Sequence, residues 1–179
     1  DTKGNGPLLP LPVRLSLAAL NISRVSLAEA VFGRSAELSV SMNLNSRRDA
    51  SLHSQLTIVP LDGQGGGVDA EIDYFPATTR LGVVANLDGP EDGLTSRILG
   101  LPGYPRVAAS IIGDGPLNNW QGLVTANAEG VFSSDFLILT RGDAIIDIDL
   151  SGGSTLSEQI ASSIPLLDSG RLPVEATLT

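Results

Sequence analysis

Polar and apolar residues alternate along most of this chain, the period of two that marks a strand with one wet and one dry face. Leu38, Val40, Met42 and Leu44 point one way while Glu37, Ser39, Ser41, Asn43 and Asn45 point the other. Val68, Ala70, Ile72 and Tyr74 oppose Asp69, Glu71 and Asp73, and Leu81, Val83, Ala85 and Leu87 follow after a short loop. Val107, Ala109 and Ile111 continue the scheme, as do Ala144, Ile146, Ile148 and Leu150 against Asp143, Asp147 and Asp149, with Ile145 out of phase. The first strand alternates through Val13, Leu15 and Leu17, slips at Ala18 and Ala19 to bring in Leu20 and Ile22, and slips again before Val25 and Leu27. A one-residue slip flips every later side chain, so these positions predict bulges and a curved strand.

The links between strands carry turn chemistry at Asp62 to Gly67, Pro76 to Arg80, Gly113 to Asn119, and Arg141 with Gly142. Links this short join antiparallel neighbours, because a parallel crossover needs about a dozen residues or more. About ten strands are predicted, in one meander. Two segments break the pattern. Pro90 starts a short helix with Glu91 and Asp92 at its positive end, Leu94 and Ile98 on one face, and Gly100 and Pro102 to stop it. Thr155 and Glu158 have capping-box spacing ahead of the stripe Leu156, Ile160 and Ile164, with Pro165 ending the run.

Each predicted helix follows a strand ending in Leu-x-Gly (Leu87 to Gly89, Leu150 to Gly152) and precedes a restart near Pro105 to Val107 or Pro173 and Val174. Residues 1–179 therefore read as one fragment of a longer, repeat-like polypeptide, with unit boundaries near 88–106 and 151–173 and each unit covering its neighbour's dry face. The fold class expected is all-β with one or two short helices, an elongated antiparallel meander.

Composition narrows the uses of such a sheet. Aromatic residues make up 4% of the chain, too few for the Trp, Tyr and Phe filling common in closed sandwiches, and the apolar 42% is mainly Leu, Val, Ile and Ala. A net charge of −9, with Lys3 the single lysine and the arginines scattered, argues against a nucleic-acid partner, which demands clustered cations. No apolar run reaches the ~18 residues of a membrane-spanning helix. The absence of Cys rules out disulfides and thiolate chemistry in this sequence.

Candidate chemistry is thin. His53 is the single histidine and falls on the polar side of its strand, so it reads as a solvated strand residue rather than a triad member or metal ligand. The glycines from Asp62 to Gly67 lack the Lys-Ser/Thr ending of a phosphate loop and read as a hairpin. Asp143, Asp147 and Asp149, and Asp88, Glu91 and Asp92, match no EF-hand spacing. Trp120 reads as a cap on a core edge, with sugar stacking the competing use. No catalytic residue, cofactor or metal is expected.

Three motifs occur in order: Asp73-Tyr-Phe-Pro-Ala-Thr-Thr-Arg-Leu81, Leu94-Thr-Ser-Arg-Ile-Leu-Gly-Leu-Pro-Gly103 and Gly113-Asp-Gly-Pro-Leu-Asn-Asn-Trp-Gln-Gly122. This order resembles the middle region of TamB-type translocation and assembly module proteins, which are related to AsmA-like bridge-type lipid transfer proteins, with looser similarity over most of the remaining chain. The resemblance implies a curved, taco-like open groove spanning the periplasm from an inner-membrane anchor to an outer-membrane barrel partner. It also implies a role in carrying phospholipid to the outer membrane or in assembling outer-membrane proteins. The anchor and the barrel-contacting region are expected outside this fragment.

On that reading Leu38, Val40, Met42, Leu44, Ile72, Leu81, Val83, Ile146 and Ile148 line a hydrophobic trough for acyl chains. The open strand edges are expected to associate with other chains. Without the resemblance, the same alternation fits residues packed into a closed core, as in a β-sandwich adhesion or carbohydrate-binding module. A hydrolase is the weakest of the readings, for want of a catalytic constellation.

Overall fold

A computed structural model describes residues 17–29, 35–63, 65–142, 147–157 and 171–178. The strands are β1 (Leu17–Leu27), β2 (Ala36–Ser46), β3 (Leu52–Pro60), β4 (Gly67–Phe75), β5 (Arg80–Gly89), β6 (Val107–Pro116), β7 (Gln121–Ala128), β8 (Phe132–Arg141), β9 (Asp147–Leu156) and β10 (Arg171–Leu178). They form one sheet in sequence order, every neighbouring pair antiparallel. β1 and β10 are its edges, and among the described residues no second sheet lies over it. The protein is thus an open all-β meander, and the closed sandwich is set aside as its architecture.

Register turns ten local alternations into a single surface. Val40 pairs with Ile58, Ile58 with Val68, Val68 with Leu87, Leu87 with Ala109 and Ala109 with Ala126. The next row along runs Leu20, Met42, Leu56, Ala70, Ala85, Ile111, Val124, Phe136. Paired residues share a face, so an aliphatic floor crosses the sheet. β1 keeps to it through two register shifts, between Leu17 and Leu20 and between Ile22 and Val25. These are the two slips legible in the sequence, and each returns an apolar side chain to the same side.

Several local expectations are corrected. Gly113 to Pro116, read as a turn, continue β6, and only Leu117–Asn119 form a 3-10 turn. The helix α1 (Leu94–Ile98) begins after Gly93, so Glu91 and Asp92 lie in the preceding turn rather than in its first turn. Asp92 takes a left-handed conformation (φ 59°), its N–H donates to the Tyr104 carbonyl at 2.8 Å, and its carboxylate accepts from Arg97. Thr155 and Leu156, assigned to a second helix, belong to β9 and pair with β8. The rest of that predicted helix, through Ile164, lies outside the described residues, as do Val13, Leu15, Ala144 and Ile146.

The opposite face is mostly polar, although the exposed Val59 lies on it across from Ser39. Val84, Ile112, Leu123 and Leu137 form an exposed cross-strand ladder in the middle of it. Apolar residues on both sides of β7 and β8 are why alternation did not single those strands out.

Candidate functional site: an aliphatic trough

Leu38, Val40, Met42, Leu44, Ile72, Leu81, Val83 and Ile148 all lie on the common face by register. Val68, Leu87 and Ile111 of the alternating sets lie on the same face, and the structure adds Leu56, Ile58, Val124, Phe136 and Ile138 to them. Leu38, Val40, Met42, Leu44, Leu81 and Val83 are half-buried. Only Ala36, Val107, Trp120, Ala128 and Val131 are buried apolar residues among those described. A core sealed by a second layer would bury its central residues completely, whereas an open floor leaves them partly wetted.

A cavity of about 440 Å³ lies along this floor. Its apolar lining runs from Leu38 on β2 through Ile58, Val68, Leu87 and Ala109 to Phe132 on β8, so the sheet is concave there. Helix α1 hangs over one side, and Leu94 and Ile98, one helical turn apart, line the void together with Leu99. Ile98 at the end of the helix and Leu99 just after it remain 49% and 55% exposed. Behind the helix, Val107, Ala128 and Val131 pack with Leu87, Leu101 and Phe132, which anchors this rim. The helix therefore rests on a fixed base and turns apolar residues toward an unfilled space.

Trp120 closes the other rim. It follows the 3-10 turn between β6 and β7, and its ring folds back onto the floor over Gly113 and Gly122, which pair with each other. A Cβ on either glycine would come within 2.5 Å of indole carbons, so the two glycines form a slot for the ring. The indole N–H donates to the Leu81 carbonyl at 2.9 Å. The Trp120 backbone N–H donates to Thr140 Oγ1 at 2.8 Å, and that hydroxyl donates to the Leu117 carbonyl at 2.6 Å. With only 7% of its surface exposed, Trp120 offers no free face for a sugar. The capping use read from the sequence is the one the packing supports.

The floor is interrupted by few polar groups. Ser134 and Ser154 face each other across β8 and β9 with their hydroxyls 2.6 Å apart, satisfying one another. Charge is kept to the other face and the rims, where Arg80 binds Asp114 and Arg106 binds Asp88. The Arg80 guanidinium hydrogen-bonded to Asp114 holds that carboxyl below its usual range, and the carboxylate in turn raises Arg80. At the β2–β3 turn, Ser51 donates from both its hydroxyl and its backbone N–H to Asp49, lowering that carboxyl as well.

On the polar face, β3 and β4 bring His53 against Asp73, with Nδ1 2.8 Å from the carboxylate and Glu71 at 3.8 Å. These three side chains lie close enough together to share a cation. The sequence did not join them, because His53 and Asp73 meet only through the hairpin register.

No helix among the described residues is long and apolar enough to cross a membrane. No family model, curated protein or solved structure matches the chain.

Proposed function

We propose that this chain is a section of a hydrophobic β-groove that carries phospholipid acyl chains across the periplasm. The observation that carries the reading is the aliphatic floor, continuous from Leu20 on β1 to Phe136 on β8 with no second sheet above it among the described residues. Each CH₂ moved from water onto such a surface gains roughly 0.8 kcal/mol. A uniform row of Leu, Val, Ile and Ala spreads that gain evenly, so a chain is held without a deep trap at any one place. A surface that carries lipid breaks no bond, and the reading needs neither catalytic residue nor cofactor.

The setting comes from the resemblance to TamB-type proteins in Asp73–Leu81, Leu94–Gly103 and Gly113–Gly122. On that basis the groove runs between an inner-membrane anchor and an outer-membrane barrel partner contacted elsewhere in the polypeptide, and it supports outer-membrane lipid supply or protein assembly. A closed adhesion or carbohydrate-binding sandwich fits less well, since it needs a second sheet and an accessible aromatic platform.

The test is photo-crosslinking in cells. Probes at Val40 and Val83 are expected to capture phospholipid, while a probe at Asn86 on the polar face captures none. If neither trough probe yields lipid under conditions in which an established lipid carrier does, the reading fails.

A further inference from the structure

We infer that His53, Glu71 and Asp73 form a binding site for a zinc ion on the polar face of the β3–β4 hairpin. The site stands on its own residues and is independent of the lipid reading. His53 and Asp73 pair directly across the hairpin, while Glu71 lies two residues along β4, opposite Gln55. A direct neighbour is within reach of the short Asp side chain and a diagonal one within reach of the longer Glu, so both carboxylates close on the same imidazole. Nδ1 is 2.8 Å from Asp73 Oδ1 and 3.8 Å from Glu71 Oε1, and one donor atom from each residue lies within 4.8 Å of the other two. Ligands about 2.0–2.1 Å from a tetrahedral zinc stand roughly 3.4 Å from one another, a value between the two separations measured from Nδ1.

An ordinary ion pair leaves this cluster unbalanced. Asp69, Glu71 and Asp73 fall on one face of β4, with successive side chains about 7 Å apart. Among the described residues, the ion pairs of Glu71 and Asp73 both run to His53, and Asp69 accepts from the Thr57 hydroxyl at 2.9 Å. One protonated imidazole offsets one of the two carboxylate charges at His53, whereas a divalent ion held by the neutral ring offsets both. The donor set also selects the ion. Imidazole nitrogen suits zinc and its transition-metal neighbours, while calcium and magnesium take shells of six or more oxygens. Three protein donors leave a fourth position, and Gly82, paired with Asp73 from β5, sets no side chain beside that carboxylate, so the position opens to water. Bound there, the ion joins β3 to β4 and stabilises the folded chain by mass action. The same hairpin carries Leu56, Ile58, Val68 and Ala70 of the floor on its other face.

His53 is the single histidine of the chain, so its ring protons give one set of resonances in the untagged, metal-stripped protein. Equimolar zinc chloride is expected to shift that set and to raise the melting temperature, while calcium and magnesium chloride at the same concentration leave both unchanged. Calorimetric titration with zinc should show a single class of site. His53→Gln, Asp73→Asn and Glu71→Gln should each weaken it by at least roughly tenfold, a loss that even outer-shell changes produce at metal sites. Ring resonances unmoved by excess zinc overturn the site, as does an equal response to calcium. Zinc affinity unchanged in His53→Gln places the ion on scattered carboxylates and overturns it too, and affinity retained in either carboxylate variant overturns the three-donor geometry. The resonance measurement uses the unaltered chain and stands even if a variant does not fold.

Discussion

Trp120 shows how one side chain and the spaces left by two others make a single unit. Its removal leaves a void over Gly113 and Gly122 that neighbouring strands cannot collapse into, since both glycines are fixed in the ladder. Trp120→Ala is therefore expected to destabilise the fold by about 3 kcal/mol or more, the usual range for a large buried aromatic. Trp120→Phe keeps most of the contact area and loses the bond to the Leu81 carbonyl, worth about 1 kcal/mol. Urea denaturation followed by circular dichroism would rank wild type, Phe and Ala in that order, and equal midpoints would refute the slot. The exposed Arg80–Asp114 pair makes a separate prediction about pH. Asp114 is held below its ordinary range chiefly by the hydrogen bond from Arg80, so its stabilising effect is present above the unfolded carboxylate range and is lost as pH falls through the depressed value. Arg80→Ala should accordingly lower the melting temperature slightly at neutral pH, with the gap to wild type closing in strong acid. A gap that widens in acid would show the sign to be wrong.

Among the elements, helix α1 separates what folds the protein from what the trough uses. Ser96 is fully buried and its hydroxyl bonds the Gly93 carbonyl at 3.1 Å, and Arg97 stacks on the Tyr104 ring 4.3 Å away, so those positions hold the helix in place. Ile98 and Leu99 face the cavity and contribute little to the fold. Ile98→Asn with Leu99→Asn is expected to shift stability by less than about 1 kcal/mol, as exposed substitutions do, while reducing lipid capture at Val83. A large loss of stability instead would mean the pair belongs to the core. The same helix marks the limit of what the sequence disclosed. Strands with a clean polar side, such as β2 and β4, were legible from alternation, and even the two slips in β1 were placed correctly. The end of β6 was not, because Gly113, Gly115 and Pro116 carry turn chemistry while continuing the strand, with Gly113 part of the slot for an indole. Asp92 looked like a helix-start acid, but the tie between its N–H and the Tyr104 carbonyl moved the start to Leu94. The trough followed the same division. Its strand-by-strand composition was readable, whereas the alignment of rows, the rim formed by Trp120 and the meeting of His53 with Asp73 depend on register, which no local pattern contains.

At the scale of the whole molecule, the open sheet leaves its first and last strands without outer partners among the described residues, and an unpaired edge templates further pairing. Concentration-dependent self-association of the isolated chain is therefore expected, and two surfaces could cause it: the strand edges or the apolar floor. The two are separable because they do not share residues at the centre of the sheet. Asn21 lies on edge strand β1 opposite Ser41, off the floor, where a lysine disfavours edge pairing with its charge, and Val83 lies four strands inward on the floor. If association runs through the edges, Asn21→Lys, which blocks one of the two edges, should rise less above the monomer mass of 18.5 kDa than the wild type does in light scattering as concentration rises. Val83→Lys should then associate as the wild type does. If it runs floor to floor, the two variants exchange behaviour. Edge pairing is the expected mode, because joining β1 or β10 to another strand extends the ladder and leaves the trough clear for its cargo, whereas stacking two floors would fill the space the acyl chain must occupy. A wild-type chain that stays at 18.5 kDa across the range would show that neither surface is available for self-pairing.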